Sequence, residues 1–245
     1  MACGGSSTTP QGPFRDFGAR VRMGQESFDY KVRGHQFVPR EVTVYNDAPT
    51  NYFQRPDTRW TAGLFAHYDV HDKVEAFTEF MFMDDRSVAQ IAPSGAFFVT
   101  DMLNCGNPLL SPQQFEAVCG TYGLTKDDIA KDLYIGRRNV EGGSRQNDLR
   151  HTSYRSVFGL RGDLSDRWRY EMHYQYSKVN MKNTCRNDLS ITRIKRALDA
   201  VEHPETGQAV CRSVLGGSDP DCVPWNIFRE GGVTPRTWRT TWRSR

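Results

Sequence analysis

Cysteine is the residue type whose spacing gives the most specific chemistry in this chain. Six cysteines stand at positions 3, 105, 119, 185, 211 and 222 of the 245 residues. Cys105 and Cys119 enclose a segment rich in Gly, Pro and Asn, and Cys211 and Cys222 enclose a second one, CRSVLGGSDPDC. Short loops bounded by cysteine pairs are typical of disulfides in an oxidising compartment, and a metal site is disfavoured because no CxxC spacing occurs. We therefore predict two disulfides, Cys105–Cys119 and Cys211–Cys222, and leave positions 3 and 185 unassigned.

The carboxylates and hydroxyls of the chain form no pattern that supports catalysis. The adjacent acidic pairs Asp84-Asp85 and Asp127-Asp128 fall at predicted strand ends or in loops, where we expect solvent contact rather than acid–base chemistry. No GxSxG, Walker A or HExxH motif occurs. We therefore expect no enzymatic activity, no cofactor and no metal.

A larger group of charged and polar residues alternates with apolar ones, which places the group on one face of extended strands. Such a face could bind a substrate. The alternative is that its members only pair with one another, and we favour this alternative because a water-facing surface is polar whether or not it binds anything. The candidate substrate-binding residues are Glu75, Glu79, Arg155, Arg161, Arg169, Glu171, His173 and Gln175.

Two hairpins of strictly alternating polarity must position these residues. The first hairpin comprises residues 60–70 and 74–83, and the second comprises residues 154–161 and 168–177. In the last run, Trp, Tyr and Met alternate with polar residues without a break. Runs of about 10 residues match a tilted transmembrane β-strand. Strand length and aromatic faces favour a membrane β-sheet over the alternative, a soluble antiparallel meander.

The connections around the hairpins are of two kinds. The hairpin turns, DVHDKV and DLSDRW, are short and similar, whereas the other connections are long. We predict short helices in the long connections, beginning at Ser111 and at Thr125 and covering residues 190–201 and 224–228. Short turns at one end and long loops at the other are typical of outer-membrane barrels.

The composition agrees with a thin apolar surface rather than a large apolar core. Only 38% of residues are hydrophobic while 12% are aromatic, and the mean hydropathy is −0.65. The aromatic content argues against disorder, and the net charge of +3 gives no nucleic-acid footprint. No apolar run reaches the roughly 18 residues of a membrane-spanning helix, and the start MACGGSSTTPQG lacks the features of a signal peptide.

Three blocks of the sequence resemble proteobacterial TonB-dependent receptors, in the same order. They are YNDAPTNYFQRPDTRWTAGLFAHYDVHDKVEAFTEFMFMDDRSVAQIAPSGAFF (45–98), YIGRRNVEGGSRQNDLRHTSYRSVFGLRGDL (134–164) and CRSVLGGSDPDCVPWNIFREGGVTP (211–235). The resemblance implies an outer-membrane β-barrel, closed by an N-terminal plug, that imports scarce nutrients with energy delivered through TonB. It implies three partners: outer-membrane lipid, TonB, and a small nutrient such as a siderophore, carbohydrate, peptide or cobalamin. The candidate residues would face the barrel lumen.

The chain departs from this family because it has no recognisable plug, no TonB box and too few strands for a large barrel. We therefore expect an all-β fold, an antiparallel partial transmembrane barrel over residues 1–235 with long extracellular loops that contain short helices. The final decamer, RTWRTTWRSR (236–245), is atypical and basic, and we interpret it as truncated or frame-shifted. Such a barrel fragment is not expected to transport alone; the alternative function is a soluble β-rich ligand-binding module.

Overall fold

The computed structural model describes residues 4–234, so Cys3 and the tail at 236–245 lie outside the described residues. The chain forms two compact units. The first takes its described residues from the ranges 1–51, 91–145 and 187–245, and the second comprises residues 52–90 and 146–186. The fold is mostly antiparallel β-sheet, with 46% strand and 13% helix, which confirms the predicted all-β antiparallel class. Over residues 4–234, no helix is long and apolar enough to span a membrane.

The strands and helices are numbered in chain order. The strands are β1 (Phe14–Arg15), β2 (Asp29–Arg33), β3 (Gln36–Pro39), β4 (Asp57–His71), β5 (Val74–Pro93), β6 (Met102–Asn104), β7 (Ile129–Lys131), β8 (Tyr134–Ile135), β9 (Ser144–Ser165), β10 (Trp168–Arg186), β11 (Ala200–Glu202) and β12 (Ala209–Cys211). The α-helices are α1 (Pro112–Val118), α2 (Ile191–Leu198) and α3 (Arg212–Leu215). Single 3-10 turns lie at Val21–Met23, Ala48–Thr50, Gly120–Tyr122 and Val140–Gly142.

The first unit is built on short strands around a buried aromatic core. Its main sheet has the antiparallel order β3-β2-β1-β8, and β6-β7 and β11-β12 form two further ribbons. The rings of Phe14 and Phe37 lie 4.8 Å apart, and Phe228 packs 6.0 Å from Phe14. Trp225 is fully buried. These contacts join residues distant in the chain, so the long connections fold into a core of their own rather than remaining loose loops.

Both predicted disulfides are present in the first unit. Cys105 is bonded to Cys119 and Cys211 to Cys222, and three of the four residues are almost completely buried. Cys119 follows directly after α1, so the first bond ties the end of that helix to the loop that precedes it. The bonds hold short elements together where the strands are too short to stabilise a sheet alone.

Two of the predicted helices form. Helix α1 begins after Ser111, whose hydroxyl accepts from the Gln114 backbone N–H while the Gln114 side chain accepts from the Ser111 backbone, so that both ends of the capping box are satisfied. Helix α2 lies within the predicted range of 190–201 and buries Ile194 and Leu198, two of the residues whose helical spacing predicted it.

The helices predicted at Thr125 and at residues 224–228 do not form. The Asp128 carboxylate accepts from the backbone N–H and the hydroxyl of Thr125, at 2.8 and 2.7 Å, which closes a turn that leads into β7 instead. Near residue 224, the Trp225 N–H donates to the carbonyl of Ala197 at 2.9 Å, so this backbone docks on α2 rather than coiling on itself. In both places a distant segment holds the backbone: residues 129–131 pair with β6, and the backbone at Trp225 is bonded to α2.

The second unit is a single four-stranded sheet in the order β10-β9-β5-β4. Each hairpin closes with a turn of two residues, at 72–73 and at 166–167. The strands have 15, 20, 22 and 19 residues, well beyond the predicted length of about 10. The prediction was too short because backbone pairing continues where the apolar alternation stops: β10 stays paired with β9 from Trp168 to Arg186.

Candidate functional site

The two faces of the four-stranded sheet carry different chemistry. The register pairs Leu64 with Phe80 and Met172 with Leu160, so that even-numbered residues share one face and odd-numbered residues share the other. The rings of Phe82 and Tyr154, 5.4 Å apart, extend the even-numbered face across the two central strands. We call these the even face and the odd face. Every predicted substrate-binding residue lies on the odd face.

Two ion-pair clusters lie on the odd face, and the second of them is next to the hairpin turns. The Arg155 guanidinium donates to the Glu79 carboxylate at 3.2 Å and to the Gln175 amide oxygen at 3.2 Å. The Arg161 guanidinium donates through Nε to Glu75 at 2.9 Å and again through Nη2. The structure therefore brings five of the predicted residues into direct contact across β5, β9 and β10.

The three remaining predicted residues lie in the turn-proximal half of β10. Arg169 pairs with Asp163, which the sequence did not single out, at 2.8 Å. His173 Nδ1 lies 3.6 Å from a carboxylate oxygen of Glu171. A depression of about 640 Å³ at this end of the odd face is lined by both acidic and basic side chains, including Arg161. The predicted residues therefore form one continuous charged surface.

The chemistry available on this surface is reversible polar contact. The side chains of Arg155 and Glu79 are 42% and 33% exposed, so their pairing is worth at most about 1 kcal/mol and is readily exchanged for another partner. Between residues 4 and 234 no three His, Cys, Asp or Glu side chains are placed to hold a metal ion. The free Cys185 is exposed near the far end of β10.

The even face carries an exposed apolar band on all four strands, which on β4 extends to Trp60, opposite Asp84. Trp168, the first residue of β10, is 71% exposed and Tyr174 is 68% exposed, although both are paired with β9. Soluble monomers rarely expose large contiguous apolar patches, so this surface calls for a covering partner. We define the apolar band as Trp60, Leu64, Tyr68, Val70, Phe80, Tyr154, Phe158, Leu160, Trp168, Met172, Tyr174 and Tyr176.

Beyond the apolar band the even face becomes strongly basic. The Asp148 carboxylate accepts from Arg86 at 2.9 and 2.7 Å and from Arg186 at 2.9 Å, and the Asp84 carboxylate accepts twice from Arg150 at 3.0 Å. Lys178 and Lys182 continue this face along β10. We define the basic patch as Arg86, Arg150, Lys178, Lys182 and Arg186, together with Asp84 and Asp148.

Sequence reasoning missed the basic patch, although β10 contains the signal for it. At even positions the strand runs through aromatic residues and methionine as far as Tyr176 and then changes to Lys178, Lys182 and Arg186. At odd positions the change is reversed, since Val179 and Met181 are 67% and 63% exposed. Along β10 the polarity of the two faces therefore inverts immediately after residue 177, while the strand itself continues.

The first unit contains a separate cleft of about 420 Å³. The buried side chains of Leu103 and Leu198 contribute to its lining, and its rim includes Lys195, 3.5 Å from a carboxylate oxygen of Asp101. The cleft depends on α2 packing beside the β6-β7 ribbon, so no local pattern in the sequence could indicate it.

A buried arginine organises another part of the first unit. Arg138 is 4% exposed and donates to the carbonyl oxygens of Thr8 and Pro93, at 3.2 and 2.7 Å, and to the Ser6 hydroxyl at 2.7 Å. Its guanidinium also stacks on the ring of Tyr45, 4.9 Å from the centroid. Burial lowers the pKa of Arg138 from its usual value. The residue joins the N-terminal segment to the rest of the unit.

A buried carboxylate stabilises the turn after β1. Asp16 is 1% exposed and accepts from the Ser27 hydroxyl at 2.5 Å and from the backbone N–H groups of Gly18 and Arg20, both at 3.0 Å. Burial alone would raise the pKa of Asp16, but these hydrogen bonds outweigh it and the net pKa is lowered. Asp16 is therefore an acid-sensitive point of the first unit.

Comparison with known proteins assigns no family to this architecture. No protein-family model matches the chain, and no curated protein matches its sequence.

Proposed function

We propose that the chain is a segment of an outer-membrane β-barrel of the TonB-dependent receptor type, which takes up a nutrient across the outer membrane. The four-stranded sheet is the membrane-spanning part and forms one sector of a larger barrel. Such receptors take up siderophores, carbohydrates, peptides or cobalamin, and nothing on the two faces selects one of these. Catalysis has no place in this function. TonB would act on a part of the receptor outside these strands.

The apolar band is the observation that carries the proposal. From Trp168 to Tyr176 it follows β10 for about 26 Å, which at a strand tilt of about 40° is a height of about 20 Å. The apolar belt of outer-membrane barrels is about 25 Å tall and is bounded by aromatic residues. Trp168 and Tyr176 occupy both limits of the band. If lipid covers the apolar band, its side chains are exposed to lipid rather than to water, although the strands that carry them are paired.

The odd face supports the same interpretation from the other side of the sheet. Barrel interiors are polar and wet, and ion pairs such as Arg155–Glu79 and Arg161–Glu75 satisfy charged groups there. We propose that the odd face lines the lumen. A passing ligand could exchange with these partly exposed pairs, although the pairing itself requires no ligand.

The long connections fit the loop end of a barrel. Every segment that enters or leaves the sheet does so at the strand ends opposite the two hairpin turns. In outer-membrane barrels short turns face the periplasm and long loops face the exterior. We propose that the first unit, with its two disulfides and its cleft, is formed by extracellular loops, where disulfides persist.

Fluorescence quenching by brominated lipid tests the proposal on the full chain. Trp60 and Trp168 lie in the apolar band, whereas Trp225 is buried in the first unit. With phosphatidylcholine vesicles that carry bromine on the acyl chains, we expect strong quenching. Trp168→Phe and Trp60→Phe should each remove part of the quenched signal, and the matched variant Trp225→Phe should leave it unchanged.

The soluble β-rich binding module makes the opposite prediction. Such a module would stay monomeric in detergent-free buffer and would show no quenching by acyl-chain bromine. Either result would overturn the membrane proposal. Aggregation without detergent, relieved by vesicles and accompanied by quenching, would support it.

A further inference from the structure

We propose that the basic patch binds the phosphate groups of anionic lipids in the membrane leaflet on the long-connection side of the sheet. This inference rests on the proposed membrane insertion of the four-stranded sheet. It names the class of lipid headgroup that the sheet prefers, whereas the apolar band by itself would bind neutral and anionic lipids equally.

The charge balance of the basic patch favours an anionic partner. Five cationic side chains face two carboxylates, which leaves a formal net charge of +3 on one small surface. Arg86 and Arg186 share a single carboxylate, and Lys178 and Lys182 form no ion pair with any residue that the structure describes. Like charges this close repel one another, so a bound anion stabilises the arrangement.

The guanidinium groups of the patch are accessible to a partner. The side chains of Arg86, Arg150 and Arg186 are 55%, 59% and 53% exposed, although each donates to a carboxylate. A guanidinium has five N–H donors in a planar fork, so each arginine keeps donors that can reach a phosphate oxygen. The carboxylates fix the orientation of the arginines and leave their outer edges free.

The position of the patch points to lipid rather than to a soluble anion. Lys178 is the next even-face residue after Tyr176, about 7 Å further along the strand, where the apolar band ends. The polar headgroup layer begins at this height, immediately outside the hydrocarbon core. A lysine at this depth keeps its stem along apolar surface and its ammonium among the headgroups. The patch and the apolar band share one face, so one lipid can contact both.

The test compares the full chain on vesicles of phosphatidylcholine alone and of phosphatidylcholine with phosphatidylglycerol. The neutral vesicles report membrane insertion, and the ratio of the two affinities reports the basic patch. Each lysine near an anionic surface contributes about fivefold in affinity, so Lys178→Gln and Lys182→Gln together should reduce that ratio about 25-fold. The matched control is Lys73→Gln together with Arg167→Gln, which removes two positive charges at the hairpin turns.

The outcomes separate the lipid inference from the proposed function. No binding to neutral vesicles would refute membrane insertion, whatever the anionic lipid does. Binding to both vesicles with equal affinity would refute the lipid inference and leave insertion intact. An equal loss from the pair Lys73→Gln and Arg167→Gln and from the pair Lys178→Gln and Lys182→Gln would reveal general charge attraction and would also refute the lipid inference. Release by inorganic phosphate at matched ionic strength would identify a soluble-anion site instead.

Discussion

Met172 occupies the centre of the apolar band, and a charge at this position gives the sharpest test of whether lipid covers the band. It lies midway along β10 between Trp168 and Tyr176 and is 63% exposed. About 13 Å of strand separates it from each limit, and a tilt of about 40° turns this into a depth of about 10 Å. Met172→Lys would therefore place an ammonium near the middle of the hydrocarbon layer.

The expected cost follows from that depth. A lysine at the midplane of a barrel's lipid face costs about 2–4 kcal/mol. The ratio of inserted to free chain should therefore fall between about 30-fold and about 900-fold. If water covered the band instead, a residue this exposed could be replaced within about 0.5 kcal/mol. A lipid-covered band and a water-covered band therefore predict clearly different partition ratios for Met172→Lys.

His173→Lys is the matched control, because His173 is the next residue on the same strand but lies on the odd face. Its ring nitrogen is 3.6 Å from Glu171, so a lysine there keeps an acidic neighbour. Vesicle flotation over a series of lipid concentrations measures the partition ratio of the parent chain and both variants. Equal ratios for Met172→Lys and His173→Lys would refute a lipid-covered band.

Three further predictions concern the first unit. Replacing Cys105 and Cys119 by serine should destabilise this unit by about 3 kcal/mol, because the closed loop restricts the unfolded chain; urea unfolding followed by the fluorescence of buried Trp225 measures the change. Arg138→Met should cost about 1–3 kcal/mol in the same assay by leaving buried carbonyls unpaired, whereas substitution of an exposed arginine such as Arg22 should cost much less. The pKa of Asp16 is lowered on folding. Its contribution to the free energy of unfolding is therefore complete above the unfolded pKa of about 3.9 and is lost as the pH falls through the lower folded value. The parent chain should therefore lose near-ultraviolet circular dichroism when the pH is lowered below about 3.9. In Asp16→Asn the part of this acid-induced loss that comes from Asp16 should be absent. Identical pH profiles for the two proteins would contradict the role of Asp16.

The features that the sequence predicted correctly depend on residues that are close together in the chain. Period-two alternation located both hairpins, and the spacing of Cys105 and Cys119 located a disulfide. The capping signal at Ser111 located the start of α1. Each depends on residues within one element or one loop, so neighbours in the chain carry the information.

The features that the sequence did not predict depend on contacts between distant segments. The turn that begins at Thr125 leads into β7, which pairs with β6, and the Trp225 N–H donates to the carbonyl of Ala197 in α2. The core formed by Phe14 and Phe228 joins the two ends of the described chain. The alternation predicted that the charged residues of the odd face share one face. It could not predict which residues pair, because that depends on the register between strands of different hairpins.

The edges of the four-stranded sheet bear on the choice between membrane and water. Among residues 4–234, β4 and β10 each pair with a strand on one side only. Soluble proteins protect long edges with prolines, inward charges or short strands, yet β4 has 15 residues and no proline, and it carries Trp60 and Tyr68 exposed. In lipid, unpaired backbone groups cost several kcal/mol each, so a membrane sheet must continue on both sides. An unprotected edge is a hazard for a soluble module but a requirement for a barrel sector, which pairs with the next strand.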